Sequence, residues 1–399
     1  MRLFCFMEKK EEQSMDYCNM AKEIPASPIR DMMVRAAAME DVISFTVGEP
    51  DFTPTESIIE AAKTALDHRD IRYAPGAGLT ELREVYAQYL SEQVGISYEA
   101  ENVVVTAGGM SSLFLSLLCT VNPGDEVLMS APYFTNYSQM VRMCYGVPVP
   151  IEVYEEDEFI LTPEAVKKAI TPRTKVLMLN SPCNPTGGVI SMDSLKEIAK
   201  IAVEYDLFVL SDEVYRHILF DGEKYASIVM QPGMRERTLI IDSCSKTFAM
   251  TGFRIGFGAG PKEWISLMTK LTEGVYSSAP TVGQRAAIEA YKSGLPYCVE
   301  MVKQYEKRRN YLYERLNQMK GISCIKPKGA FYIFVNISGT GLDAVEFSNR
   351  LLDEAHVAVV PGGNFGSKGG DRYVRMVYAT SMENIKEGCD RMEKFCSSL

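Results

Sequence analysis

The stretch "TKVLMLNSPCNPTGGVISMDSLKEIAKIAVEYDLFVLSDEVY", residues 174–215, decides the fold. It opens with a short apolar run that stops at Ser181-Pro182. A helical segment from Ser191 to Asp206 follows, and a second short apolar run ends at Ser211-Asp212. Runs this short and this apolar read as strands buried on both faces, and the helix between them reads as a crossover. The unit repeats in both directions. Upstream, "ENVVVTAGG" precedes "MSSLFLSLLCTV", and "GDEVLMSAP" precedes "YSQMVRMCYG". "LTPEAVKKAI" offers Thr162 as N-cap and Pro163 at the first helical position. Downstream comes "TLIIDSCSK". The expectation is an α/β fold with a mostly parallel sheet. From about residue 286 the character changes: "CVEMVKQYEKRRNYLYERLNQM" leads into "GAFYIFVNI" and "RYVRMVYAT", which alternate like strands of a separate small sheet. The basic cluster Lys307, Arg308, Arg309 reads as the solvated face of that helix.

The chain has 399 residues, 46% hydrophobic, enough for one large domain with a smaller companion. Its net charge of −10 argues against a nucleic-acid or anionic-membrane partner, since both reward a positive surface. The ten cysteines are scattered and show no zinc-type spacing, which fits reduced thiols and no metal. The opening "MRLFCFMEKKEEQ" is too short in its apolar part for a signal peptide, so a soluble, cytoplasmic protein is expected.

In an open parallel sheet, ligands sit beyond the carboxyl ends of the strands. Reading each strand to its end collects Gly108 and Gly109, then Tyr133 and Phe134, Asn184, Asp212 and Tyr215, and finally Ser243, Ser245 and Lys246. Asp212 also suits a plain turn cap. Lys246 is harder to set aside, because a buried ammonium needs a partner or must be neutral. A desolvated lysine attacks carbonyls and forms Schiff bases. Arg254, read as a second interior cation, needs an anion, and phosphate matches its fork. "GGMSS", passing from strand to helix, offers backbone N–H groups to the same phosphate. Pyridoxal phosphate meets all of these demands together: an aldehyde for the lysine, a pyridine nitrogen for the carboxylate, a dianion for arginine and hydroxyls. No GxxxxGK[ST] loop is present, and "GFGAGP" lacks the third glycine of a dinucleotide fingerprint.

From about residue 28 to its end the chain resembles the class I (class I/II) aminotransferases, pyridoxal-phosphate enzymes of fold type I. The resemblance rests on "SPCNPTGG", "SDEVY", "SCSKTFAMTGFRIGF" and "RYVRMVYATS", supported by "VGEPDF", "RYAPGAG", "VVPGGNFG" and "GAFY". It implies a large domain, residues 48–285, with a mostly parallel seven-stranded sheet flanked by helices. It further implies a smaller α+β domain from residues 23–47 and 286–399, behind a tail of residues 1–22. In such enzymes Lys246 would carry the cofactor as a Schiff base and then act as acid and base. Asp212 would hold the pyridine nitrogen protonated, while Tyr215 and Asn184 would bond the phenolic oxygen. Phe134 would stack on the ring. Gly109, Met110, Ser243, Ser245 and Arg254 would hold the phosphate, with Tyr73 of the neighbouring subunit in a homodimer. Arg375 would grip the substrate carboxylate beside Gly48, although by pattern alone it reads as an edge-strand surface residue.

The implied reaction moves the amino group of an L-amino acid to a 2-oxo acid, 2-oxoglutarate, by a ping-pong mechanism. A C–S β-lyase shares the same chemistry at Cα, and a pyridoxal-phosphate-sensing regulator shares the fold, though regulators carry a DNA-binding segment ahead of it. Met110 stands where many aspartate-specific relatives have lysine, which leaves the donor open among aspartate, aromatic amino acids and an N-acylated diaminopimelate. Cys183 and Cys244 read as small packing residues. The segment from Ile24 to Arg35 is expected to close over the substrate.

Overall fold

The computed structural model describes residues 17–24 and 28–399. The expected tail therefore lies outside the described residues except for 17–22, and so do residues 25–27 of the expected closing segment. After a two-residue strand, β1 (Ile43–Ser44), the large sheet is built from seven strands. These are β2 (Val103–Thr106), β3 (Glu126–Ala131), β4 (Val147–Glu152), β5 (Thr174–Asn180), β6 (Phe208–Asp212), β7 (Thr238–Ser243) and β8 (Gly256–Ala259). Their spatial order is β2-β8-β7-β6-β5-β3-β4, parallel throughout except for β8, which runs antiparallel to both neighbours. The expected mostly parallel α/β sheet is thus present. The crossover helices include Gly109–Thr120, Asn136–Met143, Pro163–Ala169 and Met192–Glu204. Thr162 caps the third of these, its hydroxyl accepting from the Ala165 amide at 3.2 Å.

Alternation along β5 explains why these strands are apolar on both sides. Val176 and Met178 enter one core with Leu113, Met129, Ile241 and Trp264. Leu177 and Leu179 enter another with Leu195, Ile198 and Val209. Each face is covered by helices, so each strand position is worth burying, at roughly 2 kcal/mol per aliphatic side chain.

The remaining strands are β9 (Ser323–Cys324), β10 (Tyr332–Asn336), β11 (Val357–Ala358), β12 (Val360–Pro361) and β13 (Tyr373–Val377). They form an antiparallel sheet in the order β12-β13-β10-β9 and a parallel pair of β1 with β11. Their core joins Phe45, Phe331, Val374, Met376 and Phe347 with Ile385 and Met392 of the last helix.

Two expectations fail here. Strand β13 lies between β12 and β10, so Arg375 is not an edge-strand surface residue but is 2% exposed. Nor is the basic cluster a solvated helix face. On the helix Leu295–Leu316, Lys307 is exposed while Arg308 and Arg309 are buried. Arg308 forks onto Asp51 at 2.8 and 2.9 Å, and Arg309 forks onto Asp221 at 2.8 and 2.9 Å. Periodicity assigns charge to solvent by default, and it cannot see a carboxylate that arrives from a distant loop. Among the described residues no helix is long and apolar enough to cross a membrane, and no cysteine is paired.

Candidate active site

The carboxyl ends of β2, β3, β5, β6 and β7 face one cavity of about 370 Å³. Gly48, Gly109, Met110, Phe134, Asn184, Asp212, Tyr215, Ser243, Ser245, Lys246, Arg254 and Arg375 all line it. Of the residues given a cofactor or substrate role, Tyr73 alone stands apart, at 86% exposed; Gly108 and Tyr133, collected with them at the strand ends, are not in the lining either. Met33, on the helix Pro28–Ala37, reaches the cavity too, bringing part of the segment expected to close over it.

Asp212 is the last residue of β6 and is buried. Oδ2 accepts from the Tyr137 hydroxyl at 2.5 Å, and Oδ1 accepts from the Val214 amide at 3.3 Å. Neither partner is a cation. Burial therefore pushes its pKa up to about 6, against the lowering effect of those two bonds. A carboxylate held this way lacks a cation, and a protonated ring nitrogen is a chemically matched partner.

Lys246 sits in the short turn Cys244–Thr247 directly after β7, where the Ser243 hydroxyl caps the turn by accepting from the Ser245 amide at 3.1 Å. Its Nζ donates to the Gly48 carbonyl at 2.6 Å. Burial lowers its pKa to about 8; Glu49 works in the opposite direction, and Arg254 and Arg375 add to the lowering. Such an amine is available as a nucleophile near neutrality.

Arg254 requires a correction. The sequence pattern places it in the interior, but its side chain is exposed at the cavity. The residue has φ +54 and follows the turn Thr251–Phe253, where Nη1 donates to the Thr251 carbonyl at 2.9 Å. Its guanidinium packs on Gly108, where a Cβ would fall 2.5 Å from Nη2 and where φ is +87. Gly108 thus makes room for the arginine and opens the helix Gly109–Thr120, whose free N–H groups face the same cavity. Together with Ser243 and Ser245 this is a cradle suited to a phosphate.

Arg375 is clamped from the protein side. Nη1 donates to Asn184 Oδ1 at 3.1 Å and Nη2 to the Thr46 carbonyl at 2.6 Å, while Nε is buried with no partner. Burial lowers its pKa, yet an arginine stays charged, so it awaits an anion. Cys183 and Cys244 are buried, and burial raises both thiols. That matches packing residues, not reactive thiolates.

Three contributors escaped the sequence reading. Tyr137 holds Asp212 but lies in a helix whose period marks it as core. Tyr332 lines the cavity with its hydroxyl 2.6 Å from that of Tyr215. Just after β6, Arg216 is completely buried between Glu213 (3.3 Å) and Asp242 (3.5 Å). Asp242 in turn accepts from the Ser243 amide at 2.7 Å and from the Tyr86 hydroxyl at 3.1 Å. This charge cluster braces the ends of β6 and β7, which carry Asp212 and Ser243, and the turn after β6 that carries Tyr215. Glu213 and Arg216 alternate with Asp212 and Tyr215 in "SDEVYR", a pattern that shows two faces but not what each one meets.

The family model for class I and II aminotransferases matches residues 40–392. The aspartate aminotransferase of Pyrococcus abyssi is 45% identical over 371 residues, 92% of this chain and 95% of that one. The aromatic-amino-acid aminotransferase 2 of Thermococcus litoralis is 42% identical over 371 residues, with the same two coverages, 92% and 95%. Among solved structures, the aspartate aminotransferase of Thermus thermophilus with maleate superposes with a TM-score of 0.91 at 37% identity, over 96% of this chain and all of that one.

Proposed function

We propose, from the premise that this chain belongs to the class I and II aminotransferase family, that it moves the amino group of an L-amino acid to a 2-oxo acid through pyridoxal 5′-phosphate. The family makes it an amino-group-transferring enzyme of fold type I. The residue roles, 2-oxoglutarate as acceptor and a ping-pong order are our reading. One observation supports it above the others. A buried carboxylate without a cation, Asp212, and an amine of lowered pKa, Lys246, line the same cavity as a clamped arginine with a spare donor, Arg375.

When bound, pyridoxal phosphate supplies an electron-withdrawing ring conjugated to an aldehyde. In this reading Lys246 would hold the cofactor through its aldehyde and would serve as the acid and base that moves the proton at the substrate Cα. Its pKa near 8 lets it hold or release a proton close to neutrality. Asp212 would keep a proton on the ring nitrogen. Phe134 would stack on the ring, and Tyr215 and Asn184 would donate to the phenolic oxygen. The phosphate would be held by the amides at Gly109 and Met110, by Ser243, Ser245 and Arg254, and by Tyr73 from a second copy in a homodimer. Arg375 orients the substrate by its α-carboxylate, beside the Gly48 backbone. We further take residues 48–285 as the large domain and 23–47 with 286–399 as the small one, in a cytoplasmic enzyme.

The test is a single-turnover absorbance experiment with the cofactor-loaded protein and a panel of L-amino acids, no acceptor present. The expected result is loss of the visible band with one class of donor and its return on adding 2-oxoglutarate. Steady pyruvate release with the band unchanged would replace the transferase with a β-lyase.

A further inference from the structure

We infer that Tyr332 is a positioning residue that makes the Tyr215 hydroxyl point its proton into the cavity, and that it thereby sets how strongly Tyr215 holds the cofactor's phenolic oxygen. The inference rests on the functional reading above and extends it to a residue with no role there.

Tyr332 opens β10 and is 1% exposed, and its hydroxyl lies 2.6 Å from that of Tyr215. The two rings meet edge to face, with centroids 5.6 Å apart and planes at 87°. The Arg375 guanidinium sits 4.9 Å above the Tyr332 ring, so one face of the phenol is fixed by the carboxylate-binding arginine. The Gly48 backbone closes in on the hydroxyl from the other side: a Cβ there would fall 2.2 Å from Tyr332 Oη. The same glycine's carbonyl accepts from Lys246. One side chain thus touches or abuts the surroundings of three groups assigned to the reaction.

Hydrogen counting leaves two directions, and the proposed role of Tyr215 as a donor to the cofactor selects one. Each phenol carries one proton, and the pair shares one hydrogen bond. Should Tyr215 donate to Tyr332, it has no proton left for a ligand. Should Tyr332 donate to Tyr215, the Tyr215 proton is free to point into the cavity, and accepting a bond polarises its own O–H further. Burial raises the pKa of both phenols, so both stay protonated and the count of two protons holds. The charged or titratable groups facing the pair are Asp212, Arg375 and Cys183, with Lys246 close by over Phe331.

A pH titration of the visible band of the cofactor-loaded protein tests this, because that band reports the proton on the nitrogen between Lys246 and the ring. Weaker donation to the phenolic oxygen leaves more negative charge there, which holds that proton more tightly. Tyr332→Phe should therefore raise the titration midpoint by about half to one pH unit. Tyr215→Phe should raise it at least as far, and Tyr215→Phe/Tyr332→Phe should match Tyr215→Phe alone, because Tyr332 acts only through Tyr215. An unmoved midpoint in Tyr332→Phe overturns the inference, as does full additivity in the double variant. A wild-type protein with no visible band overturns the functional reading and the inference with it.

Discussion

The Tyr137 hydroxyl donates to Oδ2 of Asp212 across 2.5 Å, with both groups shut away from solvent. This bond lowers the pKa of a carboxylate that burial drives upward. In its proposed role Asp212 would be ionised to pair with a protonated ring nitrogen, and Tyr137 would help keep it so. Tyr137→Phe should lower kcat/KM by about tenfold to a hundredfold, the range for a hydrogen bond to a charged group. It should also weaken cofactor binding. Steady-state kinetics and a cofactor titration measure both, and unchanged values would remove Tyr137 from the site.

Asp212 also carries a stability cost. Its pKa is raised on folding, from an ordinary carboxylate value to about 6. The native state thus binds its proton more tightly than the unfolded chain. Its contribution is favourable in acid and is lost as pH rises through 6. Asp212→Asn should therefore melt higher than wild type at pH 8 without cofactor, by an amount equivalent to at most about 3 kcal/mol. The gap should close near pH 4. Thermal melts at the two pH values check this; a variant less stable at pH 8 would contradict it.

Arg375 has two of its nitrogens tied to Asn184 and Thr46, which fixes the plane of the guanidinium before any substrate arrives. Lysine cannot reproduce that fork. Arg375→Lys should raise KM for amino acid and oxo acid alike by at least about tenfold, with cofactor binding little changed. Equal losses in substrate and cofactor affinity would point to general damage instead.

Gly256 tests the phosphate cradle through the backbone. A Cβ there would fall 2.3 Å from the Gly108 carbonyl carbon and 2.4 Å from the Gly109 nitrogen. Gly256→Ala must push that loop away from β8. Cofactor affinity should fall by about tenfold or more, by the loss of aligned N–H donors. Retained affinity would mean that the Gly109 amides do not bind the phosphate.

The large sheet was legible because strands buried on both faces must be apolar throughout, and because a parallel sheet collects its functional groups at one edge. Asp212, Asn184, Ser243 and Lys246 were found by reading each strand to its end. What pattern missed depends on contacts between distant elements. Arg309 looks solvated until Asp221 comes to meet it, and Arg375 looks like an edge residue until β12 covers β13. Tyr137 and Tyr332 carry the same apolar signature as any core tyrosine, and only their hydroxyl partners set them apart. Arg254 was misplaced in the opposite sense: flanking glycines and apolar runs suggested an interior, whereas a positive-φ turn carries it to the surface of the cavity.

The most direct test is to load the protein with pyridoxal phosphate, reduce it with borohydride, digest it and locate the added mass. The account predicts a single modified position, Lys246, with no modification in Lys246→Ala and no turnover by that variant. Cofactor found on another lysine, or full activity in Lys246→Ala, would contradict it.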